Sequence, residues 1–269
     1  MKYSKKIICI FSIFVFAACA TVPITGRKQL ALIPNSTLLP MALGQYSEFI
    51  STNAVSTNES QTKMVKGVGL RIQKAVEAYM TQKGLEKRLK GYNWEFNLVD
   101  DNTPNAWAMP GGKIVFFTGI LPITKNENGL AVVMGHEIAH AIAGHGNERM
   151  TQGLLSQAGQ VGLSVYMRDK PQATQNMMMT AYGVGTQVGV ALPFSRMHET
   201  EADKLGLVFM AMAGYDLNEA PKFWERMATL SGGQSQPQIL STHPSSESRT
   251  ATLKKYIPEA MKFYKPYKG

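Results

Sequence analysis

Three of the chain's five histidines fall in one short run, HEIAHAIAGHG at 136–146. On an α-helix a four-residue step is about 400° of rotation, so His136 and His140 lie about 40° apart on one face. Two imidazoles one turn apart converge on a single ion, as tetrahedral zinc requires. Glu137 sits about 100° round from His136, within reach of a metal-bound water without itself being a ligand. This is the H-E-x-x-H arrangement, in which the Glu serves as general base. Val132, Val133, Ile138, Ala139, Ala141 and Ile142 are apolar. The helix is therefore expected to be buried, and a buried carboxylate between two histidines requires a partner or a purpose.

A catalytic site needs a third protein ligand and an open fourth position. In SRMHETEADKLG at 195–206, Glu199 and Asp203 share a helical face with Ala202 and Gly206. Small residues there let this helix approach the first closely. With Glu199 as the ligand, Asp203 is placed to accept the ring N–H of a zinc-bound histidine, His136 by preference, and so fix its tautomer. Glu201 competes for the ligand role, but lies about 200° away from Glu199 and pairs on paper with Lys204 on the solvent side. His198 is read as structural. His145 is about 140° off the ligand face, and it also misses the metzincin third-ligand spacing.

HEIAH followed by HGNERM, then SRMHETEAD, then His243-Pro244 with a later Arg249, resembles metallopeptidase family 48. That family comprises the CAAX prenyl protease and HtpX-like zinc endopeptidases. Within it the chain looks like the minimal periplasmic lipoprotein type related to the beta-barrel assembly-enhancing protease. CATVPITGRKQL at 19–30 and PNAWAMPGGKIVFFTGIL at 104–121 extend the resemblance over nearly the whole mature chain. It implies an α+β, zincin-like (gluzincin) fold, mostly helical, with a small sheet whose edge strand lines the active site. It also implies one Zn2+ per chain held by His136, His140 and Glu199, with Glu137 as catalyst. The chain departs from the integral-membrane branch in lacking a pair of long apolar spans. It departs from the repeat-bearing branch in having no helical repeats before it stops at residue 269, and Gly129 stands where relatives carry a better helix former.

The tetrahedral intermediate of peptide hydrolysis needs a donor for its oxyanion. His243 is the histidine left for that role. Alternatively, as the resemblance suggests, it swings in as a fourth ligand and holds the enzyme idle. Arg249 either orients a substrate carbonyl or pairs with a carboxylate. Asn105, Ala106, Trp107 and Ala108 would form the sheet edge along which extended substrate adds through backbone hydrogen bonds.

Several elements must position these groups. Helical apolar spacing runs from Met41 to about Lys90, and 93–100 alternates as a strand. Pro110-Gly111-Gly112 divides a hairpin. Thr124-Lys125-Asn126-Glu127 fits a capping box before the histidine helix, which Gly144 and Gly146 end. Residues 151–194 hold no charge after Lys170 and read either as packed helices or as a mobile flap, with Met177–Met179 as core or interface filler. Further helices are expected at about 196–213, from near Asp216 through KFWERMATL, and from Ser246 to about Tyr264, with 234–244 a loop.

The ends set the compartment. Lys2, Lys5 and Lys6 precede the apolar stretch Ile7–Phe16, too short to span a bilayer comfortably, and Phe16-Ala17-Ala18-Cys19 resembles a lipobox. Residues 1–18 are thus expected to be a lipoprotein signal peptide, Cys19 the lipidated residue, 19–40 a proline-containing tether and 41–269 one metallopeptidase domain. With Cys19 acylated no thiol remains, because the only other cysteine is Cys9. The formal charge of +9, less the three leader lysines, is +6. No basic run or aromatic-basic motif accompanies it, so nucleic acid is not an expected partner. The expectation is a zinc metalloendopeptidase, periplasmic and lipid-anchored, at the outer membrane by preference, acting on unfolded or misfolded envelope proteins. A zinc-bearing periplasmic chaperone or assembly factor with latent proteolysis is the alternative.

Overall fold

The computed structural model describes residues 19–230, 239, 243 and 247–267. The leader at 1–18 and nearly all of the 234–244 loop lie outside them. The chain divides into two compact units, Ser36–Ala143 with Glu199–Gly269, and Met1–Asn35 with Gly144–His198.

The larger unit begins with α1 (Asn35–Thr52) and α2 (Glu59–Gln82). The sequence reads these as one continuous helical stretch. The break comes at residues 53–58, where Asn58 caps α2 by accepting from the Gln61 N–H at 3.1 Å. Val65, Val68, Ile72, Val76 and Met80 recur at helical spacing and are all buried. Each such Val or Ile contributes about 1.5–3 kcal/mol by leaving water. The sheet that they cover has the order β3–β5–β4. β3 (Glu95–Val99) runs parallel to β5 (Lys113–Phe117), and β4 (Ala106–Met109) runs antiparallel to it as the edge. All five residues of β5 are buried, as a central strand covered on both faces should be. Residues 110–112 make the expected hairpin.

After the short α3 (Leu121–Thr124) comes the histidine helix α4, Glu127–Ala143. Its cap is Asn126, whose side chain accepts from the Gly129 N–H at 3.0 Å, and not Thr124. The Thr124 hydroxyl is spent on the Leu121 carbonyl at 2.9 Å. Gly129 has a steric reason here, since a Cβ would lie 2.0 Å from the Thr124 carbonyl oxygen. α7 (Leu192–Met212) starts four residues earlier than its spacing predicts, and α8 (Glu219–Leu230) and α9 (Glu247–Met261) follow. Where α4 meets α7 the contact is made by Gly135 and Gly206. A Cβ on Gly206 would stand 3.0 Å from the His136 backbone nitrogen.

In the smaller unit the segment read as a tether forms two short antiparallel strands, β1 (Cys19–Thr21) and β2 (Lys28–Leu30), pairing Cys19 with Leu30. α5 (His145–Met167) and α6 (Gln172–Thr186) form a helical hairpin, continued by a π-helical turn at Gln187–Ala191. Residues 151–194 are therefore helical almost throughout. Of the two readings of the methionines, core or interface filler, the core one does not hold, Met177 and Met178 being exposed. Arg27 donates to both Glu148 oxygens at 2.9 and 2.8 Å. His198 lies 2.8 Å from Glu148 Oε2 and stacks on His145, which accounts for both histidines without a ligand role.

Candidate metal centre

From Gly129 onward α4 is apolar around its whole circumference except for His136, Glu137 and His140, all three buried. The Gly135–Gly206 contact brings α7 close enough for Glu199 to reach both histidines. Glu199 Oε2 lies 3.2 Å from His136 Nε2, and Oε1 lies 3.4 Å from His140 Nε2. The two Nε2 atoms are 3.1 Å apart. His243 joins them through Nδ1, 3.2 Å from His136 Nε2 and 2.9 Å from Glu199 Oε2.

These four donor atoms fit a divalent metal. Ligands at about 2.0–2.2 Å around tetrahedral zinc stand about 3.3–3.6 Å from one another, close to the separations found. His136 Nδ1 donates to Asp203 Oδ1 at 2.9 Å, so in the neutral ring the Nε2 lone pair is aimed at the common point. Several acceptors facing one spot in a buried site call for a cation there. The electrostatics agree. Burial pushes His136 down, but the Asp203 and Glu199 carboxylates outweigh it and hold the ring up at about 9. Burial, with like charge nearby, keeps His140 well below the usual histidine range. Glu199 is held far below the carboxylate range despite its burial, because all three histidines bond it.

Glu137 is the one acid of the cluster left outside this net. Its Oε1 is buried and has no hydrogen-bond partner among the described residues. His243 Nε2 stands 3.5 Å from it, too long for a bond.

Asp203 is gripped on its other side. Arg249 donates to it through Nε and Nη2, each at 2.7 Å, and lies over the Trp224 ring 3.3 Å from its centroid. Trp224 in turn meets His136 edge-on at 5.9 Å. Of its two sequence readings, Arg249 takes the carboxylate pairing. It is buried, and its Nη2 also stands 3.5 Å from Glu199 Oε2 and 3.4 Å from His136 Nε2, at the border of the cluster. Trp224 is the member of this set that the sequence reading missed, because nothing in KFWERMATL distinguishes an aromatic that stacks on arginine from an ordinary core residue.

Glu201 also departs from expectation. It is 6% exposed and not on the solvent side. Lys204 instead lies over the Tyr256 ring, 5.5 Å from its centroid.

β4 is the free edge of its sheet, as the sequence predicts. Trp107 packs its ring edge-on against Phe49 at 5.0 Å, so what it offers outward is backbone. The Phe117 N–H donates to the Asn105 carbonyl at 3.0 Å. The antiparallel alternation then directs the backbone groups of Ala106 and Ala108 away from β5. The Asn105 side chain takes the Ala106 N–H at 3.0 Å.

A small mixed sheet backed by helices, with a His-Glu-x-x-His helix facing a glutamate on a second helix, defines a zincin-like metalloprotease. Residues 69–257 match peptidase family M48, and the chain belongs to that family. It is 29% identical to the mitochondrial metalloendopeptidase OMA1 of Saccharomyces cerevisiae, over 98% of this chain and 77% of that protein. The Schizosaccharomyces pombe protein of that name is 31% identical, over 92% and 69%. The beta-barrel assembly-enhancing protease of Escherichia coli is 31% identical over 59% of this chain and 33% of its own length.

Proposed function

We propose that this metalloendopeptidase is a zinc enzyme of the bacterial envelope, anchored by lipid at Cys19, that hydrolyses unfolded or misfolded exported proteins. The observation that carries the catalytic part is the convergence of His136, His140 and Glu199 beside an unpartnered Glu137 oxygen. A zinc ion held by those three would polarise the scissile carbonyl and acidify a water.

The chain's own residues supply the rest. An extended substrate adds to β4 through the Ala106 carbonyl and the backbone of Ala108. Glu137 Oε1 accepts the proton of the attacking water and hands it to the departing nitrogen. Asp203, steadied by Arg249, keeps the His136 proton on Nδ1 and the Nε2 lone pair toward the cluster. His243 donates to the oxyanion when its ring leaves the fourth corner. The envelope part is supported by the leader ending at Cys19 and by the name of the Escherichia coli relative. Among the described residues no helix is long and apolar enough to cross a membrane.

The second reading, a zinc-bearing assembly factor with latent activity, is favoured by one observation. His243 Nδ1 fills the corner where a substrate oxygen would sit. The deciding experiment is casein cleavage with zinc, with a chelator, and by Glu137→Gln and His243→Ala. Loss of wild-type cleavage in the chelator and in Glu137→Gln establishes the peptidase. Cleavage by His243→Ala alone identifies a self-restrained enzyme. Silence from every zinc-loaded form removes the proteolytic reading.

A further inference from the structure

The α5–α6 hairpin is unusual in what it exposes. From Met150 to Ser195 the charged residues are Arg168, Asp169 and Lys170, all in the turn between the helices. On α5, Leu154, Ala158, Val161 and Val165 fall within about 60° of the circumference. On α6 and the turn after it, Met177, Ala181, Val184 and Val188 repeat the same spacing. The six larger residues of these stripes are 50–64% exposed. Contiguous apolar surface of this kind marks a site of interaction.

Both stripes emerge on one side of the hairpin. The helices touch where the Tyr182 hydroxyl donates to the Ser156 carbonyl at 2.8 Å and crowds Gly159. Gly159 follows Leu154 by five residues, and Tyr182 follows Met177 by five. Each stripe is therefore turned about 140° from the contact, in the same rotational sense. In an antiparallel pair, equal rotations bring the two stripes out on the same face. The same unit holds a groove of about 920 Å3, lined in part by Leu155, Val190, Leu192 and Leu30 of β2.

We infer that this face lies on a phospholipid surface with anionic headgroups. Two observations select a bilayer over a second copy of the chain. The first is charge. Lys28, Arg149, Arg168, Lys170 and Arg196 are exposed along the unit, and Asp169 is the acid exposed among them. Basic side chains around an apolar face suit an anionic membrane, whereas two copies would oppose like charges. The second is attachment. Residues 1–18, with three lysines and the apolar Ile7–Phe16, lead directly into β1 of this same unit. Neither helix is apolar enough to span, so the hairpin rests on the surface. The argument from attachment rests on the proposed anchor.

The test is photolabelling of the full chain, with its own N-terminus, in phosphatidylethanolamine–phosphatidylglycerol vesicles whose acyl chains carry a diazirine. Adducts are mapped by mass spectrometry. The expected result is labelling at Leu154, Val161, Val165, Met177, Val184 and Val188, reduced about tenfold in a Val161→Asp, Val188→Asp variant that retains wild-type circular dichroism. Adducts confined to residues before 30 would overturn the inference while leaving the anchor standing. Hairpin labelling without N-terminal labelling would do the reverse. Hairpin-to-hairpin protein adducts in place of lipid adducts would assign the face to a second copy and overturn it as well.

Discussion

Arg249 and Asp203 are joined by two 2.7 Å hydrogen bonds, both residues being buried. The same Asp203 accepts the His136 ring proton, so one carboxylate couples an arginine on α9 to a metal-facing histidine on α4. Bidentate guanidinium pairing of this kind fixes geometry as well as charge. Nearby positive charge also keeps Asp203 ionised, its carboxyl lying below the usual range although burial works against it.

Replacing Arg249 with Ala should therefore act through the metal. Loss of a group that orients a ligand histidine typically costs about 10–100-fold in metal affinity. Zinc competition titration of Arg249→Ala and Arg249→Lys should show weakened binding in both, because lysine cannot restore the fork. An arginine variant with wild-type zinc affinity but raised KM would return the residue to the substrate-contacting role.

The Gly135–Gly206 contact carries a steric prediction. Gly206→Val adds a branched side chain where even a Cβ stands 3.0 Å from His136 N. Overpacking of this kind costs about 1–3 kcal/mol. Relief by separation of the helices would draw Glu199 from the histidines. Thermal unfolding with and without zinc should show a lower Tm and a smaller zinc-induced rise than wild type. A normal zinc-induced rise would mean that the helices do not need this approach.

That contact also shows what the sequence makes legible. Four-residue spacings on two helices suffice to bring His136, His140, Glu199 and Asp203 together, because helical rotation is fixed and the small residues mark where the helices meet. Rotation alone does not say which faces are covered. α7 is buried almost all round from His198 to Ala213. Glu201, assigned outward because Lys204 follows it, is thus inside. Caps are decided by single hydrogen bonds, which is why Asn126 displaces Thr124 and why the Asn58 cap went unread inside a longer apolar pattern. Arg249 and Trp224 lie on separate helices joined by a tertiary contact, and no local spacing encodes it.

In the smaller unit, Glu148 links pH to stability. Burial would raise its pKa, but His198 and Arg27 lower it to about 2 from an ordinary 4.5. A depressed folded-state pKa gives stability that is complete above about 4.5 and is lost as pH falls through about 2. Glu148→Gln cannot titrate and lacks this contribution, on the order of 1–2 kcal/mol after solvent screening. Denaturation followed by far-UV circular dichroism should show the wild-type advantage at pH 6 shrinking toward pH 2. A constant difference across that range would rule out the ionised pair as its source.

The edge strand offers a separation of binding from folding. Alternation from the Asn105–Phe117 hydrogen bond points the Ala108 N–H away from β5, toward the position of an added substrate strand. Proline is tolerated on an edge strand where its missing N–H faces outward. It also keeps the preceding residue extended, and Trp107 already lies in β4. Ala108→Pro should therefore leave Tm close to wild type while removing one backbone bond to substrate. A neutral hydrogen bond contributes about 0.5–1.5 kcal/mol, so KM should rise about 2–10-fold with kcat less affected. Steady-state cleavage of a fluorogenic peptide, read beside thermal unfolding, makes the comparison. An unchanged KM in a folded variant would show that substrate does not extend the sheet at this edge.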